Sequence, residues 1–306
     1  MARSFRLGTR GSPLALWQAN KVAELLSAAD GLDGDAITIV PIRTTGDMVQ
    51  NRALAELGGK ALWTKELDRA LLSGEIDFAV HSMKDVETIR PPEIVIAAMP
   101  ERADVRDRLI GADSLAALPP KARVGTSSPR RAAQVRRARP DARILLFRGN
   151  VDTRLRKLAE GEADATLLAA AGLDRLGRAG IGSAIEIDVM LPAPAQAAIG
   201  VEARADDTIT RDLLAAIDHA ATSTCVRAER ALLAALSADC RSPIAALAVL
   251  DGPNAIWLRA EILSEDGAFS EAGEARFAVT DHDAPATLAA ALLDRAPPPL
   301  RALFSA

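Results

Sequence analysis

Lys84 and Asp85 stand side by side in AVHSMKDVET, directly after the apolar run Ile76–Val80. A carboxylate at the carboxyl end of a strand can accept N–H groups and steady a developing positive charge, although a Lys/Asp pair in a surface loop has the same sequence. A second stretch with chemistry in it is TSSPRRAAQVRR, Thr126–Arg137, which holds four arginines. From Lys121 to Lys157 twelve Lys and Arg face Asp141 and Asp152 alone, a surplus of ten positive charges in a chain whose formal net charge is -4. Guanidinium groups grip carboxylate or phosphate through paired hydrogen bonds, so charge this local implies a ligand with several acid groups. Arg130 and Arg131 open a helix and Arg148 follows the strand Ile144–Phe147, places where α/β sheets bind ligands. Arg154, one turn into the next helix, is a further member. Arg136, Arg137 and Arg139 read as a solvated face, because successive helical residues turn by about 100°.

Cys240 lies in LSADCRSPIA, a polar turn between a helix and a strand. A thiol in a turn is accessible enough to react; Arg241 favours its thiolate and Asp239 opposes it, and a free structural thiol is the alternative. Cys225, on a helical pattern, reads as a small core residue. His81 beside Ser82 is no hydrolase signature, since no GxSxG elbow is present. Two cysteines and three scattered histidines offer no metal-ligand spacing, so no metal is expected. Aromatic residues are 3% of the chain and Tyr is absent, which argues against the stacking platforms of a single-strand nucleic-acid binder. No apolar run approaches the roughly 20 residues of a bilayer span, and MARSFRLGTR has no secretion-signal core, so a cytoplasmic location and no membrane partner are expected.

The elements that must position these groups alternate between strand and helix. Phe5–Gly8 leads to Pro13–Ala28, Ala36–Ile42 to Ala61–Leu72, and Ile76–Val80 to a return at Ile94–Ala97. A second series runs from Ala122–Gly125 through Pro129–Arg139, Ile144–Phe147, Val151–Ala159, Ala165–Ala169 and Ala171–Leu176. The opening turns match: LGTRGSPLALWQA from Leu7 and VGTSSPRRAAQV from Val124 both read strand, Gly, Thr, polar, Ser, Pro, helix. Ser12 and Ser128 are placed to cap, Pro13 and Pro129 suit the first helical position, and Gly8 and Gly125 are expected to permit the tight turn. Each turn aims unpaired N–H groups at an anion, and two of them imply two similar lobes with a cleft between. LPAPAQAAIGVEAR recrosses between the lobes, and helices at Asp212–Ala220 and Val226–Leu236 lead to strands at Ile244–Leu250, Ala255–Ile262 and Ala275–Val279 with a helix near Pro285–Arg295, a small α+β domain.

Several stretches together resemble one family, porphobilinogen deaminase (hydroxymethylbilane synthase). They are GTRGSPLALWQA (Gly8–Ala19), TTGD (Thr44–Asp47), GGKALWTKELDRALL (Gly58–Leu72), DFAVHSMKDV (Asp77–Val86), GTSSPRRAAQ (Gly125–Gln134), RGNVDTRLRKL (Arg148–Leu158), AGLDRLG (Ala171–Gly177), LPAPAQAAIGVE and RAERALLAAL. The resemblance covers nearly the whole chain in order. It implies an α/β fold with two periplasmic-binding-protein-like lobes plus a small α+β C-terminal domain, divided as 1–98 with 197–218, 99–196, and 219–306. It implies a monomeric, cytoplasmic transferase of heme and tetrapyrrole biosynthesis that condenses four porphobilinogen molecules onto a covalent dipyrromethane primer. Ammonia is lost at each step, and the linear tetrapyrrole hydroxymethylbilane is released by hydrolysis.

By that similarity Cys240 carries the dipyrromethane as a thioether, and Asp85, with Lys84 and Arg10, is catalytic. Ser12, Lys60, Thr126, Ser128, Arg130, Arg131, Arg148, Asn150, Arg154, Arg175 and Gln196 bind cofactor or substrate, and Lys60 belongs to a loop over the site, roughly 48–62. Each pyrrole bears acetate and propionate side chains, which accounts for the arginines. The sequence departs from the family's pattern at Glu87, where the pattern has proline after AspVal, at Asp239 in place of glycine before the attachment cysteine, and at Ala61 and Ala197 in place of glycines. Gly to Ala is tolerable only where φ is negative. From the paired turns alone, the alternative is a two-lobed, non-enzymatic binding protein for a small polycarboxylate.

Overall fold

The computed structural model describes residues 4–30, 36–44, 64–239 and 241–304. Two compact units result, one formed by the described residues up to Ala103 together with Ala197–Ser223, the other by Asp104–Gln196 and the chain from Thr224 onward.

The first unit is built on β1 (Phe5–Arg10), α1 (Pro13–Asp30), β2 (Ile37–Ile42), α2 (Lys65–Leu72), β3 (Phe78–Ser82) and β4 (Ile94–Ala98), joined by the tenth strand of the chain, β10 (Ile199–Arg204). The sheet order is β2-β1-β3-β10-β4; β1 runs parallel to β2 and β3, and β10 is antiparallel to its neighbours β3 and β4. Side chains alternate across a strand, so Phe78 and Val80 face the α1 side with Leu7, Val22 and Leu26, while Ala79 faces Leu67 and Leu71 of α2. A helix covers each face of the sheet, which makes its central strands apolar on both sides.

In the second unit β5 (Asp107–Ile110), β6 (Arg123–Thr126), β7 (Arg143–Leu146), β8 (Ala165–Ala169) and β9 (Ser183–Ala184) form a sheet of order β7-β6-β8-β5-β9, with β5 antiparallel to β8. Helices α3 (Pro129–Ala138), α4 (Val151–Ala159) and α5 (Ala170–Arg175) follow β6, β7 and β8. The two sheets therefore share one pattern, second strand, first, third, an antiparallel strand, fourth. In each, the antiparallel strand is the first to form after the chain changes unit: β5 soon after Asp104, β10 directly after Ala197. The α/β reading holds, but β5 and β9 escape the sequence pattern because β5 is four residues long, opens on a charge, and β9 is only two residues long.

The remaining elements are α6 (Thr208–Ala215) of the first unit, α7 (Ala220–Ala235), the antiparallel meander β11 (Ile244–Leu250), β12 (Ala255–Leu263) and β13 (Ser270–Ala278), then α8 (Ala284–Arg295) and α9 (Pro298–Arg301). Cys225 sits in the core of this small sheet with Leu232, Leu236, Leu258 and Leu292, as its helical position implied. Within the second unit the meander is tied to the other sheet by buried Glu229, whose carboxylate accepts the Ala248 N–H at 2.8 Å and the Ala195 N–H at 2.6 Å. The Ala246 N–H adds a bond to the Pro192 carbonyl at 3.0 Å.

Candidate active site

Gly8 and Gly125 both lie inside strands and neither has positive φ, so the tight turn is not what they serve. A Cβ on Gly8 would run into Ile76, and one on Gly125 into the Phe147 ring. The glycines let a bulky side chain close over the strand just before the binding turn. Beyond them the caps form as read: the Ser12 hydroxyl accepts the Ala15 N–H at 3.3 Å, and the Ser128 hydroxyl accepts the Arg131 N–H at 3.4 Å. Neither helix has an acidic residue in its first turn, which leaves the positive end of each dipole uncompensated.

In the first unit β3 ends in a single 3-10 turn, Met83–Asp85. Met83 is fully buried and donates its N–H to the Ala198 carbonyl at 3.0 Å, so the residues after it turn outward, and Lys84 and Asp85 are half-buried. Asp85 shares a pocket with Arg10 at the end of β1, Ser12 at the cap of α1, Gln18 and Ser82. Gln18 and Ser82 bond to each other across its floor at 2.9 Å. Three of the residues singled out in the sequence, Arg10, Ser12 and Asp85, thus meet in one concavity, with Asp85 its one carboxylate among the described residues.

In the second unit Thr126 and Ser128 form the turn after β6, the Thr126 hydroxyl accepting the Ser128 N–H at 3.2 Å. After β7 the chain passes buried Arg148 and then Gly149, whose φ of +110° only glycine takes readily. Asn150 caps α4 by accepting the Thr153 N–H at 2.9 Å. Arg154 reaches back from the first turn of α4 to the Gly149 carbonyl at 2.9 Å and the Ser127 hydroxyl at 3.3 Å. The turns after β6 and β7 are thereby joined side chain to side chain. Burial lowers the pKa of Arg148, and burial, opposed by Asp174, brings Arg175 down to about 10; both remain cations at neutral pH.

Arg130 and Arg131 point the other way. Both are buried, and both pair with Asp107 at the start of β5: Arg130 holds Oδ2 at 2.7 Å and Arg131 holds Oδ1 at 2.7 Å. Arg130 also donates to Gln134 at 2.9 Å and to the Leu191 carbonyl at 3.0 Å, and Arg131 to the Leu167 carbonyl at 3.1 Å. Gln196 completes the cluster, giving its amide N–H to Asp107 Oδ1 at 2.8 Å and to the Val105 carbonyl at 2.8 Å. Burial by itself would raise the Asp107 carboxyl; the two guanidiniums outweigh it and hold the group far below the usual carboxylate range. Two cations share one anion, so the cluster keeps a surplus positive charge beneath α3. Asp107 is the residue that sequence reading missed, and its only local sign is a carboxylate opening a short apolar run in VRDRLI.

The face of Arg136, Arg137 and Arg139 is partly solvated as expected, Arg137 being exposed, but each of the three also has a protein partner. Arg137 pairs with Glu261 of β12, Arg136 donates to the Glu265 carbonyl at 2.6 Å, and Arg139 to the Leu115 and Leu118 carbonyls at 2.9 and 2.7 Å. Packing of the meander on α3 supplied the partners of Arg136 and Arg137, and the segment before β6 those of Arg139, which helical periodicity could not foresee. Lys60, the rest of the 48–62 segment, Ala61 and Cys240 lie outside the described residues. Beside Cys240 in sequence, Asp239 and Arg241 pair with each other at 2.8 Å, so the two opposing influences on the thiol are bound to one another.

Together these features define an α/β protein with two matched Ser-capped helix starts, one per unit, and one pocket carboxylate set beside an arginine. Residues 5–212 match the family model described as "Porphobilinogen deaminase, dipyromethane cofactor binding domain", and residues 223–294 match that of the "Porphobilinogen deaminase, C-terminal domain". The chain belongs to the porphobilinogen deaminase family. It is 58% identical over 305 residues to the porphobilinogen deaminase of Sphingopyxis alaskensis, covering 98% of this chain and 96% of that one. It is 51% identical over 296 residues to that of Paracoccus denitrificans, covering 95% and 94%. Among solved structures, the probable amino-acid ABC transporter extracellular-binding protein ytmK of Bacillus subtilis is similar at 13% identity over 71% of this chain and 90% of that one, at a TM-score of 0.42, too loose a likeness to carry an argument. The activity is that of the family, a transferase that condenses porphobilinogen on a dipyrromethane cofactor with loss of ammonia, and the binding-protein alternative falls away.

Proposed function

We propose that Asp85 is the catalytic carboxylate of this reaction and that Cys240 carries the dipyrromethane as a thioether. The observation that carries the reading is the meeting of Asp85, Arg10 and Ser12 in one pocket at the N-terminus of α1. The donor set suits the group: it is a polyacid, and Arg10, Arg148, Arg154 and Arg175 with two uncompensated helix N-termini are sources of charge-assisted hydrogen bonds. When bound, the dipyrromethane supplies the pyrrole ring onto which porphobilinogen units are added.

The chain's residues then divide the work. Asp85 accepts the N–H of the reacting pyrrole and offsets the positive charge that builds on that ring as ammonia departs. Lys84, on the same turn, and Arg10 hold acid side chains of the incoming porphobilinogen and keep its aminomethyl carbon, from which ammonia leaves, beside the attacking ring carbon. Ser12, Thr126, Ser128 and Asn150 keep the two binding turns shaped, with Arg148, Arg154, Arg175 and Lys60 taking carboxylates of the lengthening product. Arg130, Arg131 and Gln196, committed to Asp107, contribute through the surplus charge of their cluster.

The division into 1–98 with 197–218, 99–196 and 219–306 remains our reading, supported by the three separate sheets. So does a monomeric enzyme acting in the cytoplasm on a small molecule, away from nucleic acid and membrane. No described helix is long and apolar enough to cross a bilayer.

The test is an intact mass of the purified protein. A mass above the bare polypeptide by one dipyrromethane is expected, lost in Cys240→Ser, and a bare mass in the wild type overturns the attachment. Asp85→Ala is expected to keep the adduct and lose elongation; normal turnover in that variant removes Asp85 from the chemistry.

A further inference from the structure

Arg90 gathers three carboxylates on one guanidinium inside the first unit, with its side chain only 7% exposed. Its Nε and one terminal nitrogen take both oxygens of Glu202 on β10, at 2.8 and 2.9 Å. That same terminal nitrogen reaches Asp68 in the first turn of α2 at 2.5 Å. The other holds Glu87 at 2.7 Å and touches the hydroxyl of Thr64, the residue before α2, at 3.4 Å. Glu202 is wholly buried and lies 3.1 Å from His81 of β3 as well. A strand, a helix start and the segment after Asp85 therefore converge on one side chain.

Glu87 is the link that matters to the pocket. It follows Asp85 by two residues, and the residue between, Val86, is buried and bonds back to the Met83 carbonyl at 3.2 Å. Upstream the turn is pinned by Met83, whose side chain fills the space over Gly200 so fully that a Cβ there would collide with it. Lys84 and Asp85 are thus suspended between a packed methionine and an ion pair. Val86 has φ -84° and ψ 133°, the extended backbone that a following proline demands. The shape that proline would impose in the family's pattern is therefore kept here, with Glu87 in its place. Burial, reinforced by Asp68, pushes the Glu87 carboxyl up despite Arg90, so the placement of this carboxylate is costly in itself and its benefit lies elsewhere.

We propose that Arg90, acting through Glu87, is a positioning residue for Asp85: an ion-pair clamp that sets the direction in which the carboxylate leaves the Met83–Asp85 turn, where the family's pattern uses proline. The inference rests on the catalytic role proposed for Asp85.

The experiment uses the holoenzyme and steady-state kinetics with porphobilinogen. Glu87→Ala is expected to lower kcat about tenfold or more, on the scale by which small misplacements of a catalytic group act, with KM nearly unchanged and no loss of melting temperature. Glu87→Pro is expected to hold kcat near wild type, and Glu87→Pro in the Arg90→Leu background to recover most of what Arg90→Leu loses. Wild-type kcat in Glu87→Ala, or a loss that Glu87→Pro leaves uncorrected, overturns the clamp. Should Arg90→Leu fail to fold, the two Glu87 variants decide alone. Asp85→Asn measured alongside separates the two readings: if it is inactive while Glu87→Ala is normal, only the clamp falls, and if it is active, the role of Asp85 falls and the clamp with it.

Discussion

Asp107 and Arg130 meet at 2.7 Å, Oδ2 to guanidinium nitrogen, with side chains 0% and 3% exposed. Arg131 holds the other oxygen, so removing the single carboxylate strands two buried cations that already repel each other. Asp107→Asn is expected to cost about 3–5 kcal/mol of stability, read by urea denaturation, the penalty for breaking a buried pair. A loss under about 1 kcal/mol would mean that Gln134, Gln196 and the carbonyls suffice to hold the arginines.

The same carboxylate shapes the acid limb of stability. Its folded pKa lies below the unfolded value of about 3.9, so the unfolded chain binds the proton first and stability from Asp107 is present above that value and lost as pH falls below it. Glu87 has the opposite sign: its folded pKa is raised, the folded chain keeps the proton longer, and stability from this site declines as pH rises through the raised value. Glu87→Gln is therefore expected to gain melting temperature at pH 7 relative to wild type and to gain less at pH 4. Equal shifts at the two pH values would contradict the assignment.

Ala197 has φ +70°, and the family's pattern has glycine there. An L-residue in the left-handed region carries a cost that glycine escapes. Ala197→Gly is expected to stabilise the protein by about 1 kcal/mol in urea melts, since relief of the strain outweighs the extra freedom of glycine in the unfolded chain. A destabilised variant would show that the packing of the Ala197 methyl, which is buried, is worth more than the strain.

Local signals were the legible ones. Ser-Pro at a helix start, the apolar run of β3 and the helical period of α1 each depend on residues within a turn or two, and they mark the two capped turns without any knowledge of the fold. Long-range burial was not legible. Asp107 is charged and opens a four-residue strand, and what makes it structural is a pair of arginines 23 and 24 residues further on. The partner of Arg137 was hidden because helical periodicity is silent about a strand, β12, that begins more than a hundred residues later.

Residue types, the alternation of the longer strands and helices, and the family were determined by the sequence alone, because chemistry and local propensity are written in consecutive residues. Which arginines are tied to buried carboxylates was decided by tertiary structure, because a guanidinium pairs wherever such a carboxylate is folded within reach. Arg130 and Arg131 are committed to Asp107, and Arg90, unremarkable in sequence, becomes an ion-pair hub because Glu202, Asp68 and Glu87 are folded around it.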